Sequence, residues 1–265
     1  MTMREGYHRE LPIGFGKEAA SKESLPAVEV DNKVLWYDTQ VESPFRFKKG
    51  KPTRLGGFLT QVLESEQSFD LKVRDEHWRT GMIGQVIFRD KRGIIYRDID
   101  IKGIGHLRRK EGTLQVEKVG AIEGKHRNAL KLYSLTGSYG ILNESFARQD
   151  IAMSRKLRTA GVRTYRPLAL IALNEIIDPE GKKVSIAEAK QQQLILPSET
   201  PVAEVRAYGT RNRIGDLEGP DGKMILEDAR LLVAQEFGFD EKKFTKDAYA
   251  LWFAKTLGAN IGKLH

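Results

Sequence analysis

Three groups of residues in this chain have the types and spacing to act on a phosphorylated molecule. The first is Gly81 and Gly84, followed by Lys102. Glycines in a hairpin let backbone amides approach phosphate oxygens closely, because no side chain stands in the way. A lysine near the end of the following strand adds a full positive charge. The plain alternative is a hairpin ending in a solvent lysine. The second is Asp150, four residues after Phe146 on a helical stripe with Met153 and Leu157. A carboxylate on a buried stripe is costly unless a cation meets it. Lys102 is the candidate partner; water, Arg155 and Arg158 are the alternatives. Glu144 competes with Asp150, but at a helix start it is explained by the macrodipole. The third is the run from Glu204 to Asp216, where Arg206, Arg211 and Arg213 flank a glycine. Two guanidiniums converging on one anion make a bidentate phosphate clamp. Arg206 and Arg213 are the candidate pair, Arg211 is expected to matter little, and surface-loop arginines are the alternative.

These side chains need elements to hold them. VLWYDTQV at 34–41 reads as a strand, and 54–66 as a short amphipathic helix. GQVIFRD and GIIYRDIDIKG are β-branched and aromatic runs around the turn DKRG, which reads as a hairpin. Alternation along the second run puts Asp98, Asp100 and Lys102 on one face. Residues 106–131 read as a loop or a small added hairpin. A helix follows over 143–160, with Asn143 as N-cap, Glu144 in the first turn and Gly161 as the stop. Strands are expected at 164–176 and 201–209, and helices at 226–237 and from about Thr245 onward. Tyr249, Trp252, Phe253, Leu257 and Ile261 give the last helix an apolar stripe. Sheet first and helices after make an α+β chain. The expected divisions are an N-terminal arm at 1–50, a sheet-bearing lobe at 51–215 and the start of a helical lobe at 216–265.

Taken together, the motifs resemble the selenoprotein O family, a protein-AMPylating branch of the protein-kinase-like fold. The Gly84-to-Lys102 interval is similar to that between a kinase glycine loop and its third-strand lysine. Lys102, Gly103 and Gly105 match the family's Lys-Gly-x-Gly, and Tyr133, Ser134 and Gly137 its Tyr-Ser and glycine segment. Asp150 falls at the helix acid, before a strand entry at Gly161, Val162, Arg163 and Thr164. Arg206 and Arg213 stand at the family's seven-residue interval. The similarity covers about residues 78–240 and is that of a distant relative. It implies a kinase-like nucleotide-binding lobe in which ATP lies flipped, so that AMP passes to a Ser, Thr or Tyr hydroxyl of a protein substrate. Lys102 and Asp150 would form the ion pair, and Arg206 and Arg213 would hold the outer phosphates. Mg2+ (or Mn2+) would bridge the phosphates, with its ligands and the catalytic loop expected beyond His265. The chain departs from the pattern in three places, the first being residues 106–131, which look like an insertion just after the lysine. Ser138, Tyr139 and Gly140 replace the family's Asp-Gly-Arg, and the helix acid is Asp, one carbon shorter than Glu. A kinase-like phosphotransferase and a non-catalytic pseudokinase module are the other readings.

Composition narrows the remaining classes. The chain has 265 residues, a net charge of +8 and no cysteine. Disulfides, thiolate metal sites and a cysteine nucleophile are therefore excluded. No apolar run approaches the ~18 residues that cross a bilayer, and the N-terminus lacks a signal-peptide core. A cytoplasmic location without membrane contact is the expectation. The basic residues are dispersed, without a zinc pattern or an aromatic-interleaved stripe, so nucleic acid is not an expected partner.

Overall fold

A computed structural model describes residues 23–43, 45–59, 68–73, 80–110, 113–117, 140–178, 181–212, 214–219 and 221–264. The chain is a mixed α+β fold. The first strands are β1 (Glu23–Glu29), β2 (Asn32–Tyr37), β3 (Gly57–Leu59) and β4 (Ser68–Val73). They precede the hairpin β5 (Thr80–Arg89) and β6 (Ile95–Lys102). A small separate hairpin, β7 (His106–Lys110) and β8 (Thr113–Glu117), follows. Next come β9 (Leu142–Asn143), helix α1 (Glu144–Thr159) and β10 (Arg166–Leu173). β11 (Glu175–Ile177), β12 (Lys183–Ser185) and the short α2 (Ile186–Gln191) lead to β13 (Pro201–Tyr208). Two longer helices, α3 (Gly222–Phe237) and α4 (Lys246–Leu264), complete the described chain.

One nine-stranded antiparallel sheet runs β2-β10-β13-β6-β5-β4-β1-β3, with β9 added beside β13. β4, β5 and β6 form a meander, and the chain then returns through α1 to lay β10 and β13 on the far side of β6. The β5–β6 turn closes through Asp90. Its Oδ1 accepts the amides of Arg92 and Ile94 at 2.9 and 3.1 Å, and Gly93 takes φ +82°. Residues 23–50, expected in an arm, are woven into this sheet. Val28, Val30, Val34, Phe45 and Phe47 lie in its main core. Pairing with β4 and β10, distant in sequence, organises a segment whose local pattern was weak. The helix expected at 54–66 is also corrected. Gly57–Leu59 is a strand on β1, with Phe58 and Leu59 buried, while 60–66 lies outside the described residues.

α1 begins and ends where its capping residues say it should. Asn143 accepts the Ser145 amide at 3.4 Å, and Gly161 takes φ +76° after the last turn. Its buried face differs from the expected stripe. Ala147, Ile151, Ser154 and Arg158 turn inward, whereas Met153 is 56% exposed. Small side chains let the helix settle closely on Leu170 and Val202 of the sheet. Asp150 therefore lies at the edge of that face and not within it.

Helix α3 is tied to β6 through Arg97, which is 1% exposed and donates to both oxygens of Asp228. α4 packs Ala248, Tyr249 and Trp252 against Val233, Ala234 and Phe244. Of the apolar stripe expected on α4, Phe253, Leu257 and Ile261 are exposed, while Trp252 turns in to meet Phe237 edge-on. Among the described residues no helix is long and apolar enough to cross a membrane.

Candidate functional site

The site grows out of the alternation in two neighbouring strands. On β6, Ile99 and Ile101 enter the core, which turns Asp98, Asp100 and Lys102 to the opposite face. On β13, Ala203, Val205 and Ala207 do the same, turning Glu204, Arg206 and Tyr208 the other way. The antiparallel register then sets Lys102 beside Glu204, Asp100 beside Arg206 and Asp98 beside Tyr208. A polar ladder with two rungs of acid beside base crosses the middle of the sheet.

At the open end of the ladder, Lys102 Nζ donates to Asp150 Oδ2 at 2.5 Å. The lysine side chain is 17% exposed and the aspartate 40%. Aspartate, although shorter than glutamate, reaches the strand because α1 lies close to it. Glu144 is elsewhere, paired with Arg148 one helical turn on. Arg155 lies over Trp36, and neither it nor Arg158 pairs with Asp150.

The closed end of the ladder is an internal arginine clamp. Arg206 donates Nε and Nη2 to the two oxygens of Asp100, both at 2.9 Å. Its guanidinium lies 5.5 Å from the ring centroids of both Tyr165 and Tyr208. Arg211, expected to be peripheral, donates Nε to the same Asp100 and its amide to Asp98 at 2.6 Å. Burial works against the Arg206 charge, but Asp100 outweighs it and raises the guanidinium above its usual range. Two guanidiniums do converge on one anion; the anion is Asp100. The pair is Arg206 and Arg211, while Arg213 lies outside the described residues.

Gly81 and Gly103 have steric roles. Gly81 sits within β5 opposite Ile101, where a Cβ would fall 2.9 Å from the Leu71 side chain. Gly84 pairs with Ile99 across a register shift in the same strand. Neither lies in a loop. Gly103 takes φ +95°, and a Cβ there would stand 2.5 Å from both Leu142 Cβ and the Val202 carbonyl. The Lys-Gly-Ile-Gly segment thus turns the chain tightly beneath β9.

Sequence reasoning missed Glu204. It is fully buried, and neither carboxylate oxygen has a hydrogen-bond partner. Burial pushes its carboxyl up to about 7; Arg206 and Lys102 pull it down, and Asp150 and Asp100 push it further up. The signal was present in the matched alternation of charges on β6 and β13. A raised folded pKa means the native state holds a proton that the unfolded chain releases. Stability from this group is present below about pH 4.5 and lost as pH rises towards about 7. Glu204→Gln should therefore gain on wild type as pH rises from about 5 to about 8, by at most roughly 3 kcal/mol. Denaturant titrations of both proteins across that range check this. A difference independent of pH would mean the carboxylate stays ionised.

Among the described residues no three His, Cys, Asp or Glu side chains gather into a metal-holding group. Compared with known proteins, the chain matches no family model and no curated sequence.

Proposed function

We propose that this chain is the ATP-binding part of a kinase-like transferase of the selenoprotein O kind, moving AMP onto a hydroxyl of a protein. One observation carries the reading: Lys102, at the end of the third strand of a meander, is held by Asp150 of α1. Protein kinases position their phosphate-binding lysine by the same device, a third-strand lysine paired with an acid of the next helix. An ion pair this open adds about 1 kcal/mol or less to stability. Its better use is to aim an ammonium at phosphate oxygens, where charge stabilisation and positioning supply most of the catalysis. A divalent metal would neutralise phosphate charge when bound, but the described residues offer it no ligand group.

The arginine clamp favours a second reading. Holding the outer phosphates of a flipped ATP requires guanidiniums, and Arg206 is already engaged on Asp100. Transfer of the γ-phosphate, with ATP in the ordinary kinase direction, does not need that clamp. Incubating the protein with α-labelled and, separately, γ-labelled ATP plus divalent metal separates the two. Label on protein from the α-position alone supports AMP transfer, and label from the γ-position alone supports phosphate transfer. Protein that takes up neither label and also shows no saturable ATP binding by calorimetry contradicts both.

A further inference from the structure

A second concave site lies at the other end of α1. A cavity of about 680 Å3 opens between the β5–β6 turn, the last turn of α1 and the start of β10. Its walls carry Lys91, Arg92, Arg155, Arg158 and Arg166 against a single carboxylate, Asp90. Arg158 follows Asp150 by eight residues, or ~12 Å along the helix. The cavity is thus separate from the Lys102 pair and independent of the nucleotide reading.

Most of these cations are accounted for. Arg166 donates to Asp38 at 2.8 Å and to Asp90 at 3.2 Å. Arg92 donates to the Arg158 carbonyl at 2.7 Å and stands 4.0 Å from the same Asp90. Arg155 lies over the Trp36 ring, 4.7 Å from its centroid. Arg158 differs from all of them. It is 8% exposed, its Nε has no hydrogen-bond partner, and it joins no ion pair among the described residues. Burial and the nearby Arg166 push its guanidinium below the usual arginine range, and Tyr96 and Asp38 offset only part of that. The carbonyl end of α1 offsets part of this charge, as basic residues in a last helical turn generally allow. It does not balance five cations against two acids, Asp90 and the buried Asp38 behind Arg166, and a buried charge left under-compensated is costly.

We infer that this cavity binds a phosphate monoester dianion, whose charge compensates Arg158. Guanidiniums suit the group because they donate in a planar fork to two of its oxygens, and charge-assisted bonds of this kind are strong. The volume falls within the roughly 300–1,000 Å3 typical of small-molecule sites. Exposed Arg155 and Lys91 at the mouth would steer the anion in.

Calorimetric titration with O-phosphoserine, inorganic phosphate and serine tests the inference on wild type, Arg158→Gln and Arg155→Ala. Phosphoserine should bind saturably and serine should not. Arg158→Gln should weaken phosphoserine about tenfold or more, the worth of one charge-assisted contact. Its thermal midpoint should hold or rise, because the substitution removes a buried charge that its surroundings compensate only in part. Arg155→Ala, on the exposed wall, should weaken binding several-fold and decides the matter if Arg158→Gln fails to fold. Tighter binding of phosphoserine than of phosphate identifies an ester as the ligand, and equal binding identifies the bare phosphoryl group; both sustain the site. Absence of saturation by about 10 mM phosphoserine, weaker than any useful affinity, overturns it. Unchanged affinity in the folded variants does so equally.

Discussion

Asp100→Ala is expected to cost about 3–5 kcal/mol of stability, the loss typical of breaking a buried ion pair from one side. Asp100 is fully buried and takes both Arg206 and Arg211, which are 8% and 6% exposed. Removing the carboxylate leaves two guanidiniums in the middle of the sheet without a counter-charge. Arg206 would be left with Glu204, whose burial disfavours its charge, and Asp98 already accepts the Arg211 amide. Replacing Arg206 or Arg211 singly should cost less, because the other cation still meets Asp100. Urea titration measures the order directly. A loss of under about 1 kcal/mol for Asp100→Ala would mean that the arginines have another anion to turn to. That outcome would return Arg206 to the role of a phosphate ligand.

Lys102→Ala should do the reverse, leaving stability nearly unchanged while weakening ATP about tenfold or more. Asp150 is 40% exposed, so removing the lysine strands no buried charge. Its loss falls on whatever the ammonium is held to meet. Asp150→Ala should follow in the same direction, because a lysine without its carboxylate can swing to water.

How much of this was legible in the sequence depends on how local the determining physics is. α1 was readable because Asn143 and Gly161 fix its ends with their own side chain and backbone. The β5–β6 hairpin was readable because Asp90 and Gly93 build the turn themselves. The expected pairing of Lys102 with Asp150 rests on an acid within a buried stripe; the two residues meet, but Asp150 stands outside the buried face. The short strand β3 was not readable. Residues 54–59 suit either element, and pairing with β1, some thirty residues earlier, chose the strand. The inward face of α1 was misjudged because Ala147 and Ser154 are small, whereas larger Met153 drew the eye and faces solvent. Arg211 looked peripheral because its partners, Asp98 and Asp100, lie 113 and 111 residues away. The same distance hid the basic cavity, which gathers a turn, a helix end and a strand start from three parts of the chain.

A double-mutant cycle on ATP affinity tests the central claim most directly, using wild type, Lys102→Ala, Asp150→Ala and the double variant. If the pair acts as one phosphate-binding device, each single change weakens ATP and the double change weakens it little beyond Lys102→Ala alone. The predicted signature is a coupling close in size to the whole Asp150 effect. Unchanged affinity in the folded Lys102→Ala protein would contradict the account, as would losses that simply add.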